Sequence, residues 1–367
     1  MGAARAGEDA GGAPDRRRSG RSDRVNPIRN LAQALALPVG GRRFYSATHE
    51  DILAGATTDI YLFKTRDILE ELGLLDTPVT AEVFPSRAGL MAGLEECRQL
   101  LADPGLTVGA LPEGQTFSER EVVLRVEGPY SAFGLHETAL LGILAHSCAW
   151  ATAARECREA SQGKPFLSFG ARHVHPAVAP VMERAAIAGG ASGASSVLGA
   201  RLAGSRPRGT MPHAAILIAG DTLEVARCYD RIMPPDQPRI VLVDTFKDEA
   251  EEALRVAGAL GDRLEGIRLD TPWERGGVTP ELVAEVRARL DAAGHRHVSI
   301  FVSGGVTPER MPALARAGAD AFGVGSYISR ASPIDMTMDI KEVGGRPVAK
   351  RGRIPGRTAN HRLQPLG

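Results

Sequence analysis

The stretch Val298–Ser329, VSIFVSGGVTPERMPALARAGADAFGVGSYIS, decides how this chain folds. Two short runs rich in β-branched and aromatic residues, VSIFV and AFGV, bracket PERMPALARAGAD, which has the spacing of an amphipathic helix. A strand, a helix and a second strand in that order predict a parallel pair joined by a crossover helix. The same rhythm reaches back to Lys164. FLSF precedes HPAVAPVMERAAIAGG, RIVLVDTF precedes DEAEEALRVAGALGD, and EGIRLDT precedes PELVAEVRARLDAAG. At least seven short strand candidates occur before Ser332. That number suits a closed or nearly closed β/α barrel better than an open sheet with a nucleotide crevice.

Upstream the pattern is different. Apolar residues around Ile60, Leu62, Phe63, Ile68 and Leu72 predict helices interrupted at Gly55. Pro112-Glu113-Gly114 predicts a turn, and Val122–Val126 a strand. HETALLGILAHSCAWATAARECREAS predicts a long helix, apolar nearly all round in its first half and therefore buried between layers. Residues 42–163 thus read as an α+β domain and 164–332 as the barrel. MDIKEVGGRPVAKRGR, in residues 333–367, predicts a hairpin around Gly344-Gly345 that rejoins the first domain's sheet. Residues 1–41 hold little to bury and are expected to form a disordered tail.

Composition bounds the function. The 367 residues carry 44 Lys+Arg against 44 Asp+Glu, so no net field favours nucleic acid or an anionic membrane. No apolar run approaches the roughly 20 residues that span a bilayer. Cys97, Cys148, Cys157 and Cys228 form no C-x-x-C pair and no zinc spacing. They read as reduced thiols of a cytoplasmic protein.

In β/α barrels, chemistry sits at the carboxyl ends of the strands. Read from those ends, the candidates are Arg172, the segment Gly209–His213 (GTMPH), Asp244, Asp270, Ser303–Gly305 and Gly323–Ser326. Asp244 or Asp270 could simply cap the following helix, and Gly304-Gly305 could simply make a tight turn. His213, beside an apolar run, could simply pack. Their coincidence at one rim argues for function. Small residues in late-strand loops expose backbone N–H groups to a phosphate. Carboxylates opposite them suit a ribose diol or magnesium-bound phosphates. GVGSYIS lacks the third glycine of a dinucleotide fingerprint. The pairs His173/His175 and His295/His297 lack a third ligand, so no metal site follows directly from a motif.

These motifs, with THEDILAGATTDIY and DIKEVGGRPVAKRGR, together resemble nicotinate phosphoribosyltransferase in its short, archaeal-like form, from Phe44 to Arg357. The resemblance implies a type II phosphoribosyltransferase fold, an α/β architecture in which an irregular β/α barrel packs with an α+β sandwich-like N-terminal domain. It implies transfer of phosphoribose from 5-phosphoribosyl diphosphate to nicotinate, giving nicotinate mononucleotide and pyrophosphate, with Mg2+ and coupled ATP hydrolysis. His213 then resembles the histidine that ATP phosphorylates, with Thr210 beside the phosphoryl oxygens. Arg172 resembles the grip on the nicotinate carboxylate, and Tyr61 an aromatic that stacks on the pyridine from the partner of a homodimer. Asp270 resembles the ribose ligand, Asp244 its neighbour toward magnesium, and Gly304, Gly305, Gly325 and Ser326 the 5-phosphate loop. Two departures stand out. His173 follows Arg172 where relatives often carry a second arginine. No cysteine follows Cys228, so the zinc ribbon of some relatives is not expected. The alternatives are nicotinamide or quinolinate phosphoribosyl transfer, or a non-catalytic barrel that binds a sugar phosphate.

Overall fold

The computed structural model describes residues 27–38, 40, 43 and 45–366. Its first sheet takes strands from both ends of the chain: β1 (Pro78–Pro85), β3 (Thr107–Ala110), β5 (Leu124–Pro129), β11 (Met336–Val343), β12 (Arg346–Pro347) and β13 (Gln364–Pro365), in the order β12-β11-β1-β5-β3-β13. β2 (Gly89–Leu90) and β4 (Thr116–Phe117) form a separate short pair. Residues after the barrel therefore return to the first sheet, β11 running antiparallel to β1 with Ala81 opposite Ile340 and Val83 opposite Met338. The strand read at Val122–Val126 begins two residues later, at Leu124; Val122 and Val123 precede it, still buried.

The second sheet is parallel and contains β6 (Phe166–Ser168), β7 (Ile240–Leu242), β8 (Gly266–Leu269), β9 (Ser299–Val302) and β10 (Ala321–Val324) in the order β6-β10-β9-β8-β7. The first strand thus lies beside the last, which is how a barrel closes. A parallel bridge, Ser168 to Ala194, continues the wall beyond β6. The seven strand candidates reduce to these five plus that bridge among the described residues. One loss is informative. AAILIAG, after GTMPH, forms the helix His213–Ala219, stopped by Gly220 in the left-handed conformation. GTMPH consequently does not end a strand.

The helix Glu137–Ala160 joins the two halves. Leu140, Leu144 and Cys148 belong to the core under the first sheet. Within the next turn the helix passes to the barrel core, to which Ala151, Ala154 and Cys157 belong. The first half buries a stripe rather than its whole surface, with Gly142 and His146 exposed, and burial on every side is confined to Ser147–Ala151, where the helix passes from one core to the other.

Residues 1–26 of the expected tail lie outside the described residues. The remainder departs from the expectation. Leu31–Leu35 is a short helix capped by Asn30, Ile28 is buried, and the Leu31 amide donates to Asp67 at 3.1 Å. Arg66 donates back to the Arg29 carbonyl at 2.7 Å. The Ile28 amide also donates to the Ala54 carbonyl at 3.0 Å; composition hid this docking because a single apolar anchor and a few hydrogen bonds leave no periodic trace.

Candidate active site

Pro212 ends an extended segment and His213 takes the first position of the following helix. From there its Nε2 lies 3.1 Å from Asp244 Oδ2, just beyond the end of β7. The Asp244 side chain is fully buried while the histidine keeps 37% of its surface exposed. Burial pushes the Asp244 carboxyl above its ordinary range; His213 opposes that shift and Asp270 adds to it. Asp244 Oδ1 and the neighbouring Thr245 hydroxyl are buried without a hydrogen-bond partner. Asp244 is not a helix cap. Asp248 does that work, accepting from Ala250 and Glu251.

Asp270 is not a cap either, since Thr279 caps the helix that follows it. It belongs to a network centred on Arg268, which the sequence reading missed. Arg268 Nη2 donates to Asp270 Oδ2 at 3.0 Å, Nη1 to Thr210 Oγ1 at 3.0 Å and Nε to Ser303 Oγ at 2.7 Å. Ser303 in turn donates to Asp270 Oδ1 at 2.9 Å. The Arg268 guanidinium also lies 5.3 Å from the centre of the Phe169 ring, which packs on Phe301. Arg268 lies in β8 and Asp270 immediately follows the strand's last residue, two positions on, which brings the two side chains together. A charged residue two places before a strand-end aspartate, inside an otherwise apolar barrel strand, was the available signal.

Gly304 and Gly305 both have positive φ, +81° and +66°. A side chain on Gly304 would meet Asp270 Oδ1 at 3.1 Å, so the turn folds directly over the carboxylate. The tight-turn reading holds, and the turn lies over a candidate site residue. Arg310 Nη1 donates to the carbonyls of Gly304 and Gly305, at 3.3 and 2.7 Å, which holds the loop from behind. Across the rim, a side chain on Gly325 would meet His173 Cε1 at 2.8 Å. Ser326 follows as the first residue of a short helix, Ser326–Ser329.

Arg172 is exposed in the turn Ala171–His173 beyond β6 and contacts only its neighbour, Nε to His173 Nε2 at 3.5 Å, among the hydrogen bonds of the described residues. Burial, then the Arg172 and Arg330 guanidinium groups, hold the His173 imidazole below its usual value. Tyr61 lies elsewhere. It is exposed near the start of the helix Ile60–Glu71, beside Glu137 and Asp59 of the first domain. Among the described residues no group of three His, Cys, Asp or Glu side chains comes together to hold a metal ion. The hard carboxylate oxygens of Asp244 and Asp270, of which Asp244 Oδ1 has no hydrogen-bond partner, are of the kind that would hold Mg2+. None of the helices is long and apolar enough to cross a membrane, among the described residues.

Residues 59–148 match the N-terminal domain of quinolinate phosphoribosyl transferase and 150–339 its C-terminal domain. A nicotinate phosphoribosyltransferase of Mycobacterium tuberculosis, pncB2, is 30% identical over 68% of this chain and 55% of its own length. This chain therefore matches little more than half of that relative. A second from the same organism, pncB1, is 31% identical over 86% of this chain and 78% of its own. Among solved structures, a nicotinate-nucleotide pyrophosphorylase from Pyrococcus furiosus aligns with TM-score 0.82 and 45% identity, covering 86% of this chain and 82% of that one. Human nicotinic acid phosphoribosyltransferase, at 21% identity and TM-score 0.66, shares the fold. The parallel barrel-like sheet with β6 beside β10, the first sheet completed by the C-terminal strands and these matches have one source: the chain belongs to the type II phosphoribosyltransferase family, which holds the quinolinate and nicotinate enzymes.

Proposed function

We propose that the chain is a nicotinate phosphoribosyltransferase that couples ATP hydrolysis to formation of nicotinate mononucleotide and pyrophosphate. The observation that carries this reading is the His213–Asp244 pair. A neutral imidazole that donates Nε2–H to a buried carboxylate keeps its lone pair on Nδ1, and the carboxylate stabilises positive charge on the ring. Such a nitrogen can attack the γ-phosphorus of ATP, releasing ADP, and give up the phosphoryl group to water later. A transferase without ATP has no use for it.

In the transfer itself the pyridine nitrogen bonds to the anomeric carbon as the carbon–oxygen bond to pyrophosphate breaks, the electron pair leaving with the diphosphate. Mg2+ would neutralise that leaving group, with Asp270 and Asp244 as the protein oxygens toward it. Asp270, braced by Arg268 and Ser303, is placed to receive the ribose hydroxyls. The Gly304–Gly305 and Gly325–Ser326 loops take the 5-phosphate. Arg172, whose one hydrogen bond among the described residues is the 3.5 Å contact to His173, offers its guanidinium to the pyridine carboxylate. Positioning and charge supply most of the rate. Tyr61 reaches this site only from a second copy of the chain. Exposed Tyr61 and Ile68 on one side, and Leu198, Leu202, Leu217 and Ile218 on the other, are the apolar surfaces such a homodimer would cover.

Quinolinate is the second reading, favoured by the descriptions of both matching family models. Its extra carboxylate calls for another free cation, whereas Arg268 is already engaged with Thr210, Asp270 and Ser303. The test is product identification with nicotinate, nicotinamide and quinolinate, each with and without ATP. Nicotinate mononucleotide and ADP formed together support the proposal. Carbon dioxide released from quinolinate, independent of ATP, replaces it with the second reading. No turnover of any base leaves a sugar-phosphate-binding barrel.

A further inference from the structure

We infer that Trp273 is a phosphate-binding residue, its indole N–H donating to the 5-phosphate held by the Gly304–Gly305 loop. This rests on the reading of that loop given above. The chain has two tryptophans. Trp150 is buried in the barrel core, whereas Trp273, at the rim just after Asp270, is 63% exposed. A single exposed aromatic is ordinary on a protein surface, and what marks Trp273 is the setting of its ring.

The ring is nevertheless held. The Arg310 guanidinium lies 5.0 Å from its centre, and the same side chain grips the carbonyls of Gly304, Gly305 and Val278. From the other flank, buried Glu249 accepts from Thr271 at 2.8 Å and from Arg275 at 3.1 Å, fixing both ends of the turn Trp273–Arg275. A Cβ on Gly305 would meet Trp273 Cζ2 at 3.0 Å and Nε1 at 3.1 Å. The indole nitrogen therefore lies directly against the bare backbone of the loop, which is why position 305 tolerates only glycine there. With its carbonyls drawn to Arg310, the loop is left to present N–H groups, and Trp273 adds one more donor beside them. A side chain that merely filled space would not be clamped with its one polar atom at a phosphate loop. Arg310 is the positioning residue of this arrangement.

Trp273→Phe keeps the ring and removes the donor. We expect the KM for phosphoribosyl diphosphate to rise about tenfold, with the nicotinate KM and the melting temperature unchanged, since a hydrogen bond to a charged group is worth about that factor. Ribose 5-phosphate and inorganic phosphate should quench emission of the wild type saturably, and should inhibit the variant about tenfold more weakly. Arg310→Lys, which keeps the charge but cannot span three carbonyls, should raise the same KM and leave the nicotinate KM alone. Unchanged phosphoribosyl diphosphate KM and inhibition in Trp273→Phe overturn the inference. A wild type that uses phosphoribosyl diphosphate normally, but with Gly305→Ala equally active, removes the loop from the phosphate site and overturns both readings.

Discussion

Replacing Arg268 with methionine removes three hydrogen bonds and leaves Asp270 without its cation. Losing one partner of a buried pair costs about 3–5 kcal/mol. Arg268 and Asp270 keep 14% and 19% of their side-chain surfaces exposed, so solvent recovers part of that, and we expect about 2–3 kcal/mol. Asp270→Asn alone keeps an acceptor for Ser303 and should cost about 1 kcal/mol. The double variant should then be more stable than the sum by at least about 1 kcal/mol, because its asparagine no longer needs the cation. Urea unfolding of the four proteins measures this cycle. Turnover should fall at least about a hundredfold in Arg268→Met, as the aspartate loses its orientation toward the ribose. Additivity within about 0.3 kcal/mol would refute the reasoning, since it would mean that Arg268 braces nothing.

Asp244→Asn should lower ATP hydrolysis by about ten- to a hundredfold, the worth of one charge-assisted hydrogen bond to His213, while uncoupled nicotinate mononucleotide formation falls less; paired assays of ADP and mononucleotide check this. Mixing inactive Tyr61→Ala and Asp270→Ala protomers should restore hybrid sites, and no recovery after verified subunit exchange removes Tyr61 from the site. Burial holds the Cys148 and Cys157 thiols up at about 12 and raises Cys97 as well. The folded state therefore keeps protons that the unfolded chain loses near pH 8.5, so stability is intact below that pH and declines above it by about 1.4 kcal/mol per pH unit per thiol; urea unfolding between pH 8 and 10 measures the slope, which Cys148→Ala should flatten. Deleting residues 1–26 should leave the melting temperature unchanged, whereas deletion through residue 41 removes Ile28 and its helix and should cost about 1–3 kcal/mol by denaturant unfolding.

The alternation of apolar runs and amphipathic helices after Lys164 was enough for a parallel β/α architecture, because the periods of two and 3.6 residues are local properties of the chain. So was the rim as a place, since the loop after a barrel strand must lie at one end of the barrel: Asp244, Asp270 and Gly304-Gly305 do lie just beyond β7, β8 and β9. Partnership was not legible. Arg268 looked like one more residue of EGIRLDT until β8 and β9 lay side by side and brought it onto Ser303. His213 could be placed near the site, but only folding put Asp244, 31 residues away, against its Nε2. The six apolar residues after GTMPH carry no decisive period of their own; Pro212 before and Gly220 after frame the helix they form. Local pattern determines which elements form and which residues lie at the carboxyl end of the barrel strands. Which side chains meet there is decided by strand register and loop closure, which sum contacts from distant parts of the chain and leave no periodic signature in any one of them.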